Sequence, residues 1–284
     1  MAMALAERHG LTIVSADSRQ IYRRFDLGTA KPSADERARV VHCGIDIADP
    51  EERWSAARWA TDAAQWIGEA GIDRTLVVGG TGLYLKALTA PFFVEPQLDP
   101  ARRQALGVEL ASLPVPELRL WVQRLDPPRA HLGRAQLLRA AEVALLTGER
   151  LSDLHHRNAR PAAFRGRWLV VDPGEGLQAQ IAARIDGMFK AGWLEEARAL
   201  SGDVHSSAPA WQACGYSVVR DAALGRVELG VARAAILVET RQYAKRQRTW
   251  FRHQLAGADV TRLDPHTANA ADVAEAWWNS EEVT

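Results

Sequence analysis

Four-residue apolar runs recur along the chain and predict short buried strands. Residues 11–14, Thr75–Val78 and Trp168–Val171 fit this pattern. Between these runs lie longer segments in which apolar residues return every three or four positions, as on one face of a helix. Strands that alternate with helices are typical of α/β folds with a parallel sheet. The pattern therefore predicts a parallel sheet flanked by helices.

Several helices carry recognisable ends. Gly10 ends a predicted helix that starts with the first residues of the sequence. Ser55 is a candidate N-cap of another helix, which has Trp59, Ala63 and Trp66 on one apolar face. Helices are predicted over residues 1–9, 55–68, 83–88, 134–147, 177–200 and 229–255.

The segment from Pro91 to about Gly166 has a different character. Prolines punctuate short, Leu- and Arg-rich helical pieces, and the sequence shows no strand there. This composition predicts a helical subdomain inserted into an α/β core. We expect the core at residues 1–92 and 167–265, the insert at 93–166 and a tail, without clear signal, at 266–284.

The last long helix carries four cations on one side, at spacings of four, three and four residues. We call Arg241, Lys245, Arg248 and Arg252 the basic stripe. A solvated charged face is the ordinary explanation. No acid interrupts the stripe, however, and like charges on one face repel each other. An anionic partner is therefore an equal alternative.

A polar loop, residues 15–32, follows the first predicted strand, and Asp17 stands near its start. Ligands of open α/β sheets gather just beyond the carboxyl ends of strands. The loop is thus a candidate site, with Asp17 as its central acid. The alternative is that Asp17 caps a following helix.

A glycine-rich turn, residues 79–82, follows the second predicted strand. Glycines at a turn from strand to helix let backbone N–H groups approach an anion or a base. Close packing alone also requires glycine, so this short motif leaves both interpretations open.

Composition narrows the class of protein. The 284 residues carry no net charge, so a nucleic-acid partner needs a local basic patch. Cys43 and Cys214 lie far apart, which argues against a disulfide framework or a cysteine-rich zinc site. No apolar run reaches about 18 residues, and Glu7 and Arg8 interrupt the N-terminal segment. We expect a cytoplasmic protein without a membrane span or signal peptide.

Five ordered blocks make the sequence familiar: SADSRQIYRRFDLGTAKP, GIDIADPEERWS, LVVGGTGLYLKAL, QACGY and TRQYAKRQRTWFR. Together they resemble the tRNA dimethylallyltransferase (tRNA isopentenyltransferase) family in its bacterial form, over about residues 2–252. The resemblance implies a fold like that of the nucleotide-binding P-loop kinases, with an inserted helical domain. It implies transfer of a dimethylallyl group from dimethylallyl diphosphate to N6 of the adenosine on the 3′ side of the tRNA anticodon.

The resemblance assigns roles residue by residue. Asp17 matches the catalytic acid, which accepts a hydrogen bond or proton from adenine N6, and Thr81 matches a threonine near the reacting centre. The positions that match or lie in tRNA-contacting segments are Asp17, Ser18, Arg19, Gln20, Arg103, Ala135, Gln136, Leu137, Leu138, Arg139, Gln212, Ala213, Cys214, Gly215, Tyr216, Ser217, Lys245, Arg246, Gln247, Arg248, Thr249, Trp250, Phe251 and Arg252.

The chemistry adds further expectations. Extruding a loop adenine calls for aromatic support, for which Tyr216, Trp250 and Phe251 are candidates. The leaving diphosphate calls for fixed donors and Mg²⁺. We predict Arg241, and less directly Lys31, as diphosphate ligands. The expected partners are dimethylallyl diphosphate and the anticodon stem-loop of tRNA, bound by a monomer.

Two departures from the family pattern bear on activity. The glycine-lysine phosphate loop should precede the first helix, yet Met1 falls inside that helix. We expect a sheet that lacks its middle strand, from a truncated reading of the gene or a fragment, and hence weak diphosphate binding, weak or absent activity and impaired folding. Gln136 stands where many members carry arginine, which puts one phosphate contact in doubt.

Two other functions stay open at this point. A non-catalytic tRNA-binding pseudoenzyme would keep the basic stripe without transferring a prenyl group. A small-molecule kinase of related fold would explain the sheet and leave the basic stripe without a purpose.

Overall fold

The computed structural model describes residues 1–90, 92–93, 98–157, 159–255 and 259–280. The chain divides into two compact units, Met1–Thr89 with Ala163–Thr284 and, between them, Ala90–Ala162. The strands are β1 (Thr12–Ser15), β2 (His42–Cys43), β3 (Thr75–Val78), β4 (Phe92–Phe93), β5 (Ala159–Arg160), β6 (Trp168–Val171) and β7 (Val260–Leu263). The helices are α1 (Ala2–His9), α2 (Ala34–Arg39), α3 (Ala56–Ala70), α4 (Gly82–Thr89), α5 (Pro100–Ser112), α6 (Val115–Leu125), α7 (Arg134–Thr147), α8 (Leu151–Arg157), α9 (Leu177–Lys190), α10 (Trp193–Asp203), α11 (Tyr216–Ala223), α12 (Leu229–Gln254) and α13 (Ala270–Asn279).

The first unit contains two parallel sheets. One has the order β2-β1-β3 and the other pairs β6 with β7. The predicted α/β class is confirmed, and the three predicted strands match β1, β3 and β6 to within one residue. β1 and β3 run side by side in register, so their carboxyl ends open on the same edge. Loop 15–32 and turn 79–82 therefore begin next to each other.

The hydrophobic core next to strands β1 and β3 contains residues from both ends of the chain. Leu5 of α1, Ile13 of β1 and Leu76 of β3 are buried with Leu263 of β7 and Ala274 of α13. Trp277 and Trp278 pack against the same cluster. Residues 266–280, which the sequence left as a tail without clear signal, thus include a helix that covers the core.

One predicted helix is two helices. Residues 177–200 divide into α9 and α10, because Gly192 adopts a left-handed conformation with φ 101°. A residue with that backbone ends one helix and begins another at a new angle. The break turns Trp193 into the core, where it is 1% exposed.

The second unit is built mainly from α5, α6, α7 and α8. Leu118 and Val122 of α6 pack on Leu137, Ala140 and Ala141 of α7, all fully buried. The prediction that this segment lacks strands was wrong, because β4 and β5 pair antiparallel. Strands of two residues are too short to produce a readable alternation.

Candidate active site

Asp17 lies two residues beyond the end of β1, half-buried in loop 15–32. Its Oδ1 atom accepts hydrogen bonds from the backbone N–H of Arg19 at 2.7 Å and of Gln20 at 3.4 Å. No helix follows, so the capping alternative fails: the carboxylate instead closes a turn upon itself. Its second oxygen has no hydrogen-bond partner among the described residues, which leaves it free to act on a ligand.

The protonation of Asp17 reflects two opposing influences. Burial raises the pKa of its carboxyl group, while the two backbone N–H bonds and the guanidinium groups of Arg19 and Arg184 lower it. Burial prevails, so the pKa lies above the ordinary aspartate value. A carboxylate with a raised pKa is a better proton acceptor than one in water. Arg184 of α9, which no sequence pattern singles out, also lies near Asp17.

Thr81 connects loop 15–32 to turn 79–82. Its Oγ1 accepts the backbone N–H of Ser18 at 3.0 Å and donates to Ser18 Oγ at 3.3 Å. Its own N–H donates to the carbonyl of Ala16 at 3.1 Å. Thr81 thereby fixes the residues on both sides of Asp17.

The glycines of turn 79–82 are explained by packing. A Cβ at Gly79 would stand 2.3 Å from the Ala16 carbonyl oxygen, and one at Gly82 would stand 2.3 Å from the Trp250 ring. The carbonyl of Gly80 accepts a hydrogen bond from Gln247 at 3.0 Å. Of the two interpretations left open by the sequence, close approach of neighbouring protein accounts for these glycines.

Helix α12 brings a further hydroxyl to Asp17. The Tyr243 hydroxyl lies near Thr81 and Asp17; burial raises its pKa, and the Asp17 carboxylate adds to the rise. Tyr243 belongs to none of the segments that the family resemblance marks as functional. Acid, threonine and tyrosine thus come from three elements and meet at one edge of the sheet.

The opposite side of α12 is cationic, as the sequence predicts. Arg241, Lys245 and Arg252 are exposed and form no ion pair within the described ranges, whereas Arg248 pairs with Asp172 at 2.9 Å. Beside the stripe lies a groove of about 480 Å³ lined by Gln242, Lys245, Arg246, Thr249 and Trp250. Arg246 also lies over the Tyr243 ring at 5.7 Å.

The segment of residues 212–217 is fastened to α12. Cys214 Sγ lies 3.5 Å from Thr240 Oγ1, and the Gly215 N–H donates to Glu239 at 3.1 Å. Tyr216 is wholly buried, its hydroxyl donating to Glu196 at 2.5 Å and accepting the Gly28 N–H at 3.1 Å. The structure thus overturns Tyr216 as a stacking partner for a base. Trp250 and Phe251 stay partly exposed.

Lys31 does not face a ligand site. Its ammonium group donates to the Tyr22 carbonyl, to Asp26 and to Asp46, each at 2.6 Å. The side chain is 2% exposed. All three donors are in use, so the structure does not support Lys31 as a diphosphate ligand.

The candidate residues of the second unit form a group of their own. Arg103 and Arg139 both pair with Glu142, and Gln136 Oε1 accepts the N–H of Gly133 at the start of α7. Leu137 is fully buried and cannot contact tRNA in this conformation. Gln136 is thus a helix-capping residue at a position where the family pattern led us to expect arginine.

The described residues do not form a metal site by themselves. None of their His, Cys, Asp and Glu side chains gather in groups of three or more. The one central carboxylate, Asp17, accepts backbone N–H groups and faces guanidinium groups, surroundings that favour an anion. Likewise, no described helix is long and apolar enough to cross a bilayer.

Comparison with known proteins places this site in a family. The family model described as IPP transferase matches residues 20–254. The chain belongs to this family. It is 40% identical over 265 residues to the tRNA dimethylallyltransferase of Bordetella petrii, covering 89% of this chain and 84% of that protein. The Deinococcus radiodurans protein of the same name is 36% identical over 279 residues, covering 95% and 90%.

Solved structures of the family share the fold. The full-length tRNA isopentenylpyrophosphate transferase of Bacillus halodurans superposes with a TM-score of 0.66 at 30% identity, covering 96% of this chain and 88% of that one. A eukaryotic dimethylallyltransferase acting on tRNA gives a TM-score of 0.78 at 23% identity, covering 97% and 74%, and supports the fold alone. The resemblance deduced from the five sequence blocks is confirmed.

Proposed function

We propose that this chain transfers a dimethylallyl group from dimethylallyl diphosphate to N6 of the adenosine on the 3′ side of a tRNA anticodon. Relatives that cover most of the chain carry the corresponding name. The observation that carries the proposal is the meeting of Asp17 and Thr81 with Tyr243, which stands on the helix that bears the basic stripe. Through Tyr243, α12 thus brings a surface for phosphates next to the proton acceptor Asp17.

The reaction follows from the chemistry of an amine. The N6 nitrogen attacks the dimethylallyl carbon that bears the diphosphate, a C–N bond forms there, and the C–O bond of the same carbon to diphosphate breaks. The amine proton passes to Asp17, whose raised pKa suits it to receive that proton. Thr81 holds the turn around Asp17, and the base must leave its stack to reach the acid.

Diphosphate carries the charge that develops as the C–O bond breaks. Arg241 remains our candidate among the predicted ligands, and the guanidinium groups of Arg19 and Arg184 join it because they lie near Asp17. Fixed cations that face a leaving group stabilise the charge it acquires. Mg²⁺ stays a prediction, and no step above depends on it.

The tRNA surface combines the basic stripe with the groove beside it. Three cations of this helix have no ion-pair partner among the described residues, and each can neutralise a phosphate of the anticodon stem-loop. Trp250 and Phe251, with ring centroids 5.2 Å apart, border this surface and are the aromatic side chains left to support an extruded base. A monomeric state and a cytoplasmic location also stay predictions.

The decisive experiment incubates the full chain with isotopically labelled dimethylallyl diphosphate and an anticodon stem-loop that has adenosine on the 3′ side of the anticodon. We expect an N6-prenylated nucleoside, detected by mass spectrometry after nuclease digestion. A stem-loop with guanosine at that position is the control and should stay unmodified. Binding of the adenosine stem-loop without any transfer would contradict the proposal and support the non-catalytic binder.

A further inference from the structure

The side chain of Gln20, in loop 15–32, is fixed by three hydrogen bonds within the protein. Its Oε1 atom accepts the hydroxyl of Ser15, at the end of β1, at 3.0 Å. Its Nε2 atom donates to the carbonyls of Thr29 and Ala30, near the far end of the loop, at 3.2 and 3.1 Å. Because a carbonyl accepts and does not donate, these two partners fix which side of the amide is the nitrogen. Gln20 therefore ties the start of the loop to its end.

The backbone of Gln20 is bound as well. Its N–H group points to Asp17 Oδ1 at 3.4 Å, beside the shorter bond from the Arg19 N–H at 2.7 Å. Its carbonyl accepts the N–H of Asp46 at 3.1 Å. The backbone N–H and both amide N–H bonds of Gln20 thus have partners within the protein. No donor of this residue is left for tRNA, although the family resemblance implies a tRNA contact here.

Two of the residues that Gln20 binds have strained backbones. Ala30 and Asp46 adopt left-handed conformations at φ 50° and 56°, which residues with a Cβ atom adopt infrequently. Such conformations persist where the surrounding structure over-determines them, and they cluster at functional sites. Gln20 donates to the carbonyl of Ala30 and accepts the N–H of Asp46. Its hydrogen bonds therefore help to hold both strained positions.

We propose that Gln20 is a positioning residue, which holds the Asp17 carboxylate in the orientation that receives the amine proton. The inference rests on the proposed function and deepens it. Asp17 Oδ1 accepts two backbone N–H groups, one of them from Gln20 itself. Because the side chain of Gln20 is bound to the end of β1 and to the far end of the loop, this N–H group keeps its place.

The second oxygen of Asp17 depends on this arrangement. It has no hydrogen-bond partner among the described residues, so the bonds to Oδ1 are the ones that set its direction. An acid that must meet one atom of a substrate loses much of its effect when it is misplaced by about 1 Å. Gln20 thus acts on the reaction through Asp17 and not through a contact of its own with the substrate.

The test replaces Gln20 by methionine, which has a similar length and none of the hydrogen bonds of the amide. We expect the single-turnover prenylation rate of Gln20→Met, at saturating substrates, to fall roughly 10²-fold. The affinity for the anticodon stem-loop, measured by fluorescence anisotropy, should change by less than about twofold because no phosphate contact is lost. Gln65→Met is the matched control, since the Gln65 amide bonds only Glu69 on the exposed side of α3, and its rate should equal that of the wild type.

A double-substitution cycle separates positioning from a general structural role. If Gln20 acts through Asp17, its replacement has nothing further to remove once the acid is gone. Gln20→Met should therefore leave the residual rate of Asp17→Asn unchanged to within about twofold. A generally loosened fold would instead lower the rate by the same factor in both backgrounds.

Ser15→Ala is a milder variant that tests the same connection if Gln20→Met does not fold. It removes one of the three side-chain hydrogen bonds of Gln20 and leaves the two to the loop carbonyls. We expect a severalfold lower prenylation rate, an unchanged stem-loop affinity and, again, no further loss in the Asp17→Asn background.

Each contrary outcome leads to a different conclusion. With an active wild type, unchanged rates in both variants, or equal losses in the two backgrounds, would overturn the role of Gln20 and leave the proposed function intact. Weaker stem-loop binding at an unchanged saturating rate would make Gln20 a tRNA contact instead. A wild type that transfers no prenyl group would overturn the proposed function and this inference with it.

Discussion

Loop 15–32 and the basic stripe of α12 lie in the same unit and are organised in opposite ways. In the loop, polar groups bind one another: Lys31 joins three oxygens, Gln20 donates to the carbonyls of Thr29 and Ala30, and Arg24 and Ala30 adopt left-handed conformations at φ 70° and 50°. On the stripe, three of four cations face solvent without a carboxylate partner among the described residues.

This difference separates two physical tasks. A network that satisfies itself is rigid, and it holds non-glycine residues in strained conformations that isolated chains avoid. Such rigidity suits a group that must meet one atom of a substrate. Unpaired cations suit attraction over a distance, which depends on salt and tolerates small displacements. The loop therefore accounts for chemistry and the stripe for affinity, and each can be altered without the other.

Replacement of Asp17 should have the largest effect. Asp17→Asn keeps the shape of the side chain and removes its ability to accept a proton, so the transfer rate should fall roughly 10³-fold. Stem-loop affinity should change by less than about twofold, since the carboxylate adds no phosphate contact. Rates come from single-turnover prenylation and affinities from anisotropy. If binding collapses along with transfer, the proposed division of tasks is wrong.

Replacement of Lys31 should mainly reduce stability. Lys31→Met leaves Asp26 and Asp46 without their buried cation, which should lower the free energy of unfolding by about 3 kcal/mol. Urea denaturation measures this change by linear extrapolation. A variant with wild-type stability but weaker diphosphate binding would restore Lys31 to the role that the sequence suggested. Arg23→Met, at an exposed pair with Asp49, is the control and should unfold almost as the wild type does.

The pH dependence should identify Asp17 as a destabilising charge. A carboxyl whose folded pKa is raised favours folding when protonated, so its contribution is present below the unfolded pKa and lost as pH rises through the folded pKa. Asp17→Asn should therefore unfold at a higher temperature than wild type at neutral pH. This gain in unfolding temperature should vanish at pH values below the ordinary pKa of aspartate, and calorimetry at several pH values measures it. Over the same interval, falling pH should reduce wild-type transfer, because the protonated acid cannot accept a proton.

Changes to the basic stripe should have the smallest effect at physiological salt and the clearest ionic-strength signature. Lys245→Gln should weaken stem-loop binding severalfold and reduce the slope of log affinity against log salt by roughly 0.7–0.9, one phosphate contact. Arg248→Gln should change it less, because Asp172 already pairs with that guanidinium. Arg226→Gln, paired with Asp221 in another part of the unit, should leave the slope unaltered. Equal slopes of log affinity against log salt for all three variants would show that the basic stripe does not bind tRNA phosphates.

Much of the fold was readable because the signals were local. Ser55 caps α3 as predicted, Gly148 ends α7, and β3 and β6 have the predicted bounds. The features that the sequence did not predict share one physical cause, which is that they depend on long-range contacts. The break at Gly192 and strand β7 depend on packing partners far away in the sequence, and no local period reports them.

The candidate site shows the same difference between local signals and long-range contacts. Asp17 stood out because strand ends in α/β sheets collect ligands, and the basic stripe because like charges repeat with helical spacing. Lys31 and Tyr216 looked equally functional, yet their partners, Asp46 and Glu196, lie where only the fold brings them together.

Glu196 receives the backbone N–H groups of Asp26 and Leu27 and the hydroxyl of Tyr216 on one carboxylate. On the ribosome, residues 26 and 27 emerge long before residue 216 is synthesised. The loop must therefore wait, without these bonds, until the segment that contains Glu196 and Tyr216 has been translated. Its final shape is completed only when a residue 170 positions further along the chain than Asp26 is available.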